Sequence, residues 1–176
     1  MGFPKALLRY REEGFLDTLI ALFAPRCSSV IVVLGAEAER IRAAATRPAA
    51  FVTNPDYARG MTTSLQCGLR ALPPGIDSVL FTLVDHPAVQ PATIDALLAP
   101  PLPLLRVPRY RGERGHPVCF RSELDPEFLA LGENGAARDV VRAHAGETEF
   151  LDLDDPGITA DIDDAEAYRK LTGAVL

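Results

Sequence analysis

An aspartate stands at the end of an apolar, strand-like run, where a metal ligand would face a substrate. Residues 79–84 (VLFTLV) lead to Asp85, and His86-Pro87 then forces a turn. In open parallel sheets the ligand crevice lies beyond the carboxyl ends of the strands. Mg²⁺ needs only one or two carboxylates besides phosphate and water oxygens. The pattern predicts a magnesium site at Asp85, and the alternative is that Asp85 caps the turn.

A second acidic cluster, Asp161-Ile162-Asp163-Asp164, precedes a helix pattern. Asp163 or Asp164 is suited to cap that helix, which leaves Asp161 for another role. Beside Asp85 it would complete the oxygen shell of a metal, since two neighbouring carboxylates repel each other without a cation. The alternative is a solvated acidic turn.

The segment that starts at Asn54 runs from a strand end through a turn into a helix. Gly60 and the hydroxyl residues after it would let a ligand approach the backbone. The first N–H groups of the helix would then bind an anion or a ribose. Plain capping of the helix by Thr62, Thr63 or Ser64 is the alternative.

Two basic side chains stand where they would complete such a site. Lys5 and Lys170 are the only lysines in the sequence. A compact ammonium suits charge stabilisation at a phosphate, although a lysine beside glycine and proline is commonly solvated. His116 follows Arg114-Gly115 and would donate a hydrogen bond to a ligand, or else hold a turn.

The elements that must position these residues follow an α/β pattern. Apolar runs rich in β-branched residues alternate with helix-period segments, which indicates βαβ units and a mostly parallel sheet. The predicted strands are Val30–Leu34, Ala50–Thr53, Val79–Asp85, Leu104–Tyr110, His116–Phe120 and Glu149–Leu153. The predicted helix faces are Phe15, Leu16, Leu19, Ile20 and Phe23 in one helix, and Met61, Leu65, Leu69 and Leu72 in another. A hairpin is predicted around residues 111–115.

The composition is that of an ordinary globular chain and excludes several partner classes. Of the 176 residues, 48% are hydrophobic and 24% are charged, which suits one domain with one core. The net charge of -6 argues against nucleic acid, whose backbone attracts a surplus of lysine and arginine. The apolar runs are too short to span a bilayer, there is no signal-peptide pattern, and the three cysteines lack metal-site spacing. A cytoplasmic protein is expected.

Six segments, taken in order, resemble those of the molybdenum cofactor nucleotidyltransferase family, most closely its molybdopterin cytidylyltransferase-like branch. The segments are Met1–Leu8, Asn54–Ser64, Leu83–Pro87, Arg114–Val118, Gly132–Arg138 and Asp161–Asp163. Each segment is short, but their order and one-domain spacing make the resemblance specific.

The resemblance implies a three-layer, Rossmann-like nucleotidyltransferase fold that forms a single domain over residues 1–176. It implies that a terminal phosphate of molybdopterin attacks the α-phosphorus of CTP and releases pyrophosphate. The implied catalytic residues are Lys5 and Asp85, with Mg²⁺ held by Asp85 and Asp161. The implied nucleotide contacts are Lys5, Asn54, Gly60, Ser64 and Asp85, and His116 and Arg114 are implied on the acceptor side.

One departure from the family pattern matters. Family members carry a first strand and a loop of the form Leu-Ala-Ala-Gly-x-Ser-x-Arg before the Met-Gly-x-Pro-Lys stretch, and neither occurs in this sequence. The first strand is central in Rossmann-like sheets, so unpaired neighbouring strands and poor nucleotide binding are expected. Two explanations stay open: a start codon assigned to an internal methionine, or a chain that lacks the loop. In the second case exposed strand edges favour pairing with another copy.

Three functions remain open at this stage, because fold alone does not fix function. The first is transfer of CMP, or with GTP as substrate GMP, to molybdopterin. The second is a catalytically impaired relative that binds the pterin cofactor. The third is an enzyme of the same fold that acts on another small acceptor. A molybdoenzyme or its chaperone is a possible protein partner.

Overall fold

The computed structural model describes residues 4–132 and 135–173. Within them the strands are β1 (Arg9–Tyr10), β2 (Glu13–Gly14), β3 (Ile31–Leu34), β4 (Ala50–Thr53), β5 (Ser78–Phe81), β6 (Leu105–Tyr110), β7 (Glu113–Arg114), β8 (Val118–Arg121) and β9 (Thr148–Asp152). The helices are α1 (Phe15–Phe23), α2 (Ala38–Ala44), α3 (Met61–Arg70), α4 (Pro91–Leu98), α5 (Asp125–Leu129), α6 (Ala137–Ala143) and α7 (Ala165–Thr172). None of these helices is long and apolar enough to cross a membrane.

The strands form sheets of mixed direction. β3 and β4 pair in parallel as a separate two-stranded sheet. The larger sheet has the order β5-β8-β6-β7 with antiparallel pairing, and β9 pairs with β6 in parallel. The predicted α/β class is confirmed. The pairing is mixed rather than mostly parallel because β8 returns through a hairpin and inserts between β5 and β6.

The predicted hairpin forms with a tight turn between β6 and β7. Tyr110 pairs with Glu113, so the turn consists of Arg111 and Gly112. Both residues have positive φ, 51° and 85° respectively. A two-residue turn of this kind matches the right-handed twist of the strands that it joins.

Two predicted strands are shorter than expected for one common reason. The last residue of β5, Phe81, pairs with Val118, the first residue of β8. The next residue along β8 would be Pro117, whose nitrogen faces β6 in this register and has no N–H to donate there. β8 therefore begins at Val118 instead of His116, and residues 82–85 leave the sheet because β5 has no partner strand beyond Phe81.

The two predicted helix faces are largely confirmed. All five predicted residues of α1 are buried, and so are Leu65 and Leu69 of α3. The prediction was wrong for Met61, which is 50% exposed. Met61 is the first residue of α3, and the apolar cluster on this helix begins one turn later at Leu65. Leu72 follows the helix and packs against the same cluster.

Candidate active site

One ammonium group lies among three carboxylates. Lys5 Nζ donates a hydrogen bond to Asp85 Oδ2 at 2.9 Å and another to Asp163 Oδ1, and it lies 4.0 Å from Asp161 Oδ1. One oxygen from each carboxylate lies within 4.8 Å of the other two. The Asp85 side chain is 14% exposed, whereas those of Asp161 and Asp163 are 49% and 73% exposed. The cluster therefore has a buried floor and an open rim.

Backbone contacts bring the two acidic segments together. Ile162 N donates to the carbonyl of Asp85 at 3.3 Å. The Ile162 side chain is buried, so Asp161 and Asp163 on either side of it are held next to Asp85. Of the two capping candidates, it is Asp164 that caps α7, since its carboxylate accepts from Ala167 N at 2.8 Å. Asp163 does not cap the helix and instead accepts a hydrogen bond from Lys5.

Apolar packing fixes the position of Lys5. The lysine begins a 3₁₀ turn that ends at Leu7. The next residue, Leu8, is buried and its carbonyl accepts from Phe15 N at 2.8 Å, which ties the turn to the start of α1. Leu8 and Phe15 share one buried cluster with Ile162 and Tyr168. The same core therefore holds the lysine and the acidic turn.

The electrostatics of the cluster follow from burial and from these hydrogen bonds. Burial lowers the pKa of Lys5, but the hydrogen bonds to Asp163 and Asp85 outweigh it and raise the pKa above its ordinary value. Burial, together with the negative charge of Asp85, raises the pKa of Asp161 to about 6. The hydrogen bond from Lys5 lowers the pKa of Asp163. Above pH 6 the cluster therefore carries more negative than positive charge.

The donor set fits a hard divalent cation. Asp85 Oδ1 is buried and has no hydrogen-bond partner in the described residues. The ring nitrogen His86 Nε2 lies 3.8 Å away, beyond hydrogen-bond distance. An unpartnered buried anionic oxygen is costly unless a cation or a donor approaches it. Mg²⁺ and Mn²⁺ prefer oxygen ligands. Asp85 and Asp161 were predicted as ligands, and Asp163 is a third candidate.

Asn54 organises the turn before α3. Its side chain is almost fully buried, and its amide donates to Thr63 Oγ1 at 2.8 Å and to Ser64 Oγ at 3.0 Å. Its carbonyl oxygen accepts from Asp56 N at 2.9 Å. Both polar side-chain atoms of Asn54 thus have partners within the turn. Its direct contact with a nucleotide stays a prediction.

Gly60 leaves the start of α3 open. It has φ of 116° and ψ of 171°, and a Cβ there would meet no atom within 4 Å. This backbone conformation favours glycine, which has no Cβ. A cavity of about 480 Å³ beside this segment is lined by Asn54, Thr62 and Thr63, among others, whereas Ser64 lines a different cavity. Of the five predicted nucleotide contacts, only Asn54 lines this cavity.

His116 packs against a second histidine next to Asp85. The ring centroids of His86 and His116 are 5.0 Å apart, and His116 meets the ring of Phe81 edge-on. Burial, reinforced by the charge of His86, lowers the pKa of His116 to about 4, and burial also lowers the pKa of His86. Both rings are therefore neutral at pH 7. Their Nδ1 atoms have no hydrogen-bond partner in the described part of the chain.

Arg114 makes its described contact away from the acidic cluster. It lies on β7, and its guanidinium carbon lies 4.4 Å from the ring centroid of Phe150 in β9. Stacking of this kind holds an arginine by cation–π attraction. The role of Arg114 on the acceptor side stays a prediction.

The buried carboxylate of Asp155, which was not predicted from the sequence, organises a turn next to the histidines. Asp155 is 3% exposed and accepts from Gln90 N, Thr93 Oγ1 and Gly157 N. Gly157 packs so closely against Ala88 that a Cβ would lie 2.4 Å from the Ala88 carbonyl oxygen. The pattern Asp-Pro-Gly at 155–157 is a turn signal. It would have located the turn, but not its contacts.

The same turn holds His116 in place. His116 N donates to the carbonyl of Ile158 at 3.0 Å. A Cβ on the preceding residue, Gly115, would lie 2.0 Å from that carbonyl oxygen. His86 was also missed as part of the site, although its position directly after Asp85 was a usable signal. The two histidines thus rest on one turn from a distant part of the sequence.

Comparison with known families gives a match over most of the chain. A family model described as the MobA-like NTP transferase domain matches residues 1–148. No curated protein sequence matches the chain significantly.

Solved structures match almost the whole chain. The Rv0371c protein of Mycobacterium tuberculosis H37Rv is 27% identical with a TM-score of 0.88, over 99% of this chain and 91% of that one. Its complex with manganese matches with 26% identity and a TM-score of 0.83, over 98% and 94% of the two chains.

Two more distant structures share the fold. Molybdopterin-guanine dinucleotide biosynthesis protein A from Archaeoglobus fulgidus is 12% identical with a TM-score of 0.70, over 98% of this chain and 90% of that one. The 4-diphosphocytidyl-2C-methyl-D-erythritol synthase from Anaerococcus prevotii DSM 20548 is 13% identical with a TM-score of 0.74, over 96% and 91%.

Proposed function

The chain belongs to the family of MobA-like NTP transferase domains, and we propose that it transfers a nucleoside monophosphate from a nucleoside triphosphate to a small phosphorylated acceptor. Family membership confirms the predicted resemblance, and the structural matches confirm the Rossmann-like nucleotidyltransferase fold. The finer proposal is that the nucleotide is CTP, with GTP as the other candidate, and that the acceptor is molybdopterin. The ordered sequence segments support that finer proposal.

The observation that carries the proposal is the grouping of Lys5 with Asp85, Asp161 and Asp163. Phosphoryl-type transfers depend mainly on positioning and on neutralising charge. An ammonium and a set of carboxylate oxygens in one shallow pocket are the two groups that this chemistry needs. The buried unpartnered oxygen of Asp85 makes the carboxylates suited to a cation.

Lys5 is the group in this chain that acts on the phosphates. Its ammonium has three donors and is held by Asp85 and Asp163. A triphosphate competes for the same donors, so Lys5 exchanges a carboxylate for a phosphate oxygen when the nucleotide binds. The bond from the acceptor oxygen to the α-phosphorus then forms as the bond to the β-phosphate oxygen breaks. Lys5 stabilises the negative charge that collects on the departing pyrophosphate.

Asp85 and Asp161, with Asp163 at the rim, would hold a divalent cation, which we propose to be Mg²⁺. When bound, such a cation neutralises phosphate oxygens and lowers the charge of the leaving pyrophosphate. The fit rests on the oxygen-only donor set and on the unpartnered Asp85 Oδ1. In support, the Mycobacterium tuberculosis relative has been solved in complex with manganese.

We assign the acceptor side to the neutral histidine pair. A neutral imidazole offers one donor and one acceptor nitrogen, which suits the polar edge of a ring system such as a pterin. His116 lies beside His86, which in turn lies beside Asp85. Arg114 would add a cation on this side. The two distant relatives are named for different acceptors.

The test is pyrophosphate release with Mg²⁺, molybdopterin and each of the four nucleoside triphosphates. Release is expected to require the acceptor and to be fastest with CTP. The substitution Asp85→Asn is expected to lower kcat/KM at least about a hundredfold, because it removes the buried metal ligand. The matched control Asp154→Asn removes one exposed carboxylate outside the cluster and is expected to leave kcat/KM unchanged.

Two other outcomes would replace the proposal. Binding of molybdopterin with no release from any nucleotide would identify a cofactor-binding protein. Release with a different phosphorylated acceptor would keep the chemistry and change the substrate.

The proposed enzyme is a cytoplasmic protein whose 176 residues act as one domain and which passes its product to a molybdoenzyme or its chaperone.

A further inference from the structure

Asp155 is a buried carboxylate that the proposed reaction does not use. It is 3% exposed, and it accepts hydrogen bonds from three donors. Oδ2 accepts from Gln90 N at 2.9 Å and from Thr93 Oγ1 at 2.6 Å. Oδ1 accepts from Gly157 N at 2.8 Å. A buried carboxylate is costly unless donors surround it, and these three donors also fix its orientation.

The donors belong to two segments that lie far apart in the sequence. Gln90 is the N-cap residue of α4 and makes no capping hydrogen bond with its own side chain, and Thr93 lies in the first turn of α4. Gly157 belongs to the 3₁₀ turn Pro156–Ile158. The start of a helix leaves backbone N–H groups without acceptors, and here Asp155 supplies one acceptor from outside the helix. Asp155 therefore joins the start of α4 to the turn.

Further contacts join the same two segments in the direction of Asp85. A Cβ on Gly157 would lie 2.4 Å from the carbonyl oxygen of Ala88, so the two backbones are packed closely there. Ile162 N donates to the carbonyl of Asp85 at 3.3 Å. The partners rise in number along one segment as they fall along the other. The two segments therefore run side by side in opposite directions.

We call residues 85–93 and 155–163 together the clasp. One end of the clasp carries the carboxylate cluster, because Asp85 begins the first segment and the other two carboxylates lie at the end of the second. Asp155 lies at the opposite end, where it fastens the two segments to each other. The separation of the carboxylates therefore depends on how both ends of the clasp are held.

The same turn also supports the acceptor side of the proposed site. His116 N donates to the carbonyl of Ile158 at 3.0 Å, and Ile158 N donates to the carbonyl of Asp155 at 3.2 Å. The Ile158 side chain is fully buried, so this residue cannot shift without disturbing the core around it. A movement of the turn would therefore reach His116 as well as the carboxylate cluster.

The loss of one oxygen at Asp155 would open the clasp at this end. In Asp155→Asn one carboxylate oxygen becomes an NH₂ group, which donates hydrogen bonds and cannot accept them. An NH₂ group in place of Oδ1 would face Gly157 N, and one in place of Oδ2 would face Gln90 N. In either orientation a backbone donor meets a second donor and loses its acceptor. The two segments would then shift relative to each other.

We propose that Asp155 is a positioning residue of the candidate active site. By fastening the clasp, it keeps Asp161 and Asp163 next to Asp85. Through the same turn, it keeps His116 on the acceptor side. The assignment rests on the proposed metal site and adds to it a residue that acts through the backbone, without contact to metal or substrate.

A second buried aspartate provides a matched control. Asp17 in α1 is 7% exposed, and its carboxylate accepts from Thr46 Oγ1 at 2.7 Å and from Arg47 N at 3.1 Å. Asp155 and Asp17 thus each hold a threonine hydroxyl and backbone N–H groups of a distant segment. Asp17 lies outside the clasp. Asp17→Asn is therefore expected to destabilise the fold by a comparable amount without moving the metal ligands.

The test compares the two asparagine variants with the wild-type chain in Mn²⁺ binding and in amide hydrogen exchange. Mn²⁺ alone is titrated, without nucleotide. Asp155→Asn is expected to weaken Mn²⁺ binding about tenfold, as is usual when the residues that orient metal ligands are changed, and Asp17→Asn is expected to leave it unchanged. The amides of His116 and Ile162 are expected to exchange about tenfold faster in Asp155→Asn, after correction for the change in global stability.

Two milder variants repeat the comparison and serve if an asparagine variant does not fold. Thr93→Val and Thr46→Val each remove one hydroxyl from a buried aspartate and keep the shape of the side chain. Thr93→Val is expected to weaken Mn²⁺ binding about threefold, which corresponds to the loss of one hydrogen bond in the clasp. Thr46→Val is expected to leave Mn²⁺ binding unchanged.

Three results would overturn the assignment. Equal Mn²⁺ affinity of the wild type and Asp155→Asn, or unchanged exchange at His116, would show that the clasp does not depend on Asp155. Equal weakening of Mn²⁺ binding by Asp17→Asn would show a general loss of stability instead of positioning. These results would leave the proposed function intact, whereas failure of the wild-type chain to bind Mn²⁺ would overturn the proposed metal site together with the assignment.

Discussion

At the scale of single residues, Lys5 determines the state of the candidate active site. Its ammonium holds two carboxylates and lies near a third. The partners Lys5 and Asp163 are separated by 158 positions in the sequence. A local pattern gives no sign of such a contact, and for that reason Asp163 was predicted only as a helix cap. Asp85 and Asp161 were predicted as metal ligands because a strand end and a spare carboxylate are local signals.

Removal of Lys5 is expected to change metal binding and catalysis in opposite directions. Lys5→Gln deletes the ammonium that competes with a cation for the carboxylates, so Mg²⁺ or Mn²⁺ is expected to bind more tightly in the absence of nucleotide. The same change is expected to lower kcat/KM for nucleotide transfer about a hundredfold, because a phosphate contact is lost. Titration calorimetry and pyrophosphate release measure the two effects. Lys170→Gln is the control, and weaker metal binding in the Lys5 variant would contradict the assignment.

The buried histidine predicts a loss of stability in acid. The pKa of His116 falls from 6.5 to about 4, so the folded chain resists protonation that the unfolded chain accepts. The contribution of His116 to the unfolding free energy is complete above pH 6.5 and is lost as the pH falls towards 4. It amounts to about 3 kcal/mol of unfolding free energy. Asp161, with its raised pKa, opposes this trend between pH 4 and 6, by about 1 kcal/mol once solvent screening of a half-exposed group is included.

Urea unfolding at a series of pH values separates these contributions. His116→Asn is expected to flatten the rise of unfolding free energy between pH 4 and 6.5. His144 is a control of opposite sign, since hydrogen bonds to Glu147 and Glu127 raise its pKa. Its stabilising contribution is lost only as the pH rises above 6.5, so His144→Asn is expected to leave the rise between pH 4 and 6.5 unchanged and to remove a fall above it. An unchanged slope in the His116 variant would show that this ring is not the buried titrating group.

At the scale of elements, strand positions were predictable and strand lengths were not. Apolar runs and turn residues located the strands and the hairpin, because these signals are local. The early end of β5 depends on where its partner strand β8 begins, which enters only through the antiparallel pairing of two distant segments. The turn at Pro156–Ile158 was missed for the same reason. Its importance lies in contacts to Ala88 and Gly115 that no local pattern indicates.

The close packing of that turn gives a stability prediction. Gly157→Ala would place a methyl group 2.4 Å from the carbonyl oxygen of Ala88, so backbone must move to make room. The unfolding free energy is expected to fall by about 2 kcal/mol, as is usual for overpacking. Gly146→Ala is the control, because a Cβ there meets nothing within 4 Å. Equal stability of the two variants in urea unfolding would contradict this packing.

At the scale of the whole molecule, the described strands form separate sheets. The α/β class was predictable because apolar runs and helix periods alternate along the entire chain. The mixed strand direction of the larger sheet was not predictable, since a single hairpin reverses β8 and long-range pairing decides where β8 inserts. The expectation of unpaired neighbouring strands agrees with the pairing in the described residues, where β3 pairs only with β4 and β5 only with β8.

Ligand binding is expected to stabilise the whole molecule most when metal and nucleotide are present together. At about a hundredfold excess over Kd, CTP with Mg²⁺ is expected to raise Tm by about 5–10 °C, and GTP by less. CTP or Mg²⁺ alone is expected to give a smaller rise. Asp85→Asn is expected to abolish the joint effect. A full shift with CTP in the presence of a chelator would contradict a role for the carboxylate cluster in nucleotide binding.

The ammonium of Lys5 acts as a counterion inside the pocket, and this affects which ions the pocket binds in a cell. A lone cation must compete with an ammonium that already holds two of the carboxylates, and a lone triphosphate meets a lysine that is already engaged. When both are present, the cation would bind the carboxylates and the released Lys5 would bind the phosphates. Cation and nucleotide then raise one another's affinity by the same factor, as linkage requires. The pocket would therefore bind free magnesium and free polyphosphate more weakly than it binds their complex.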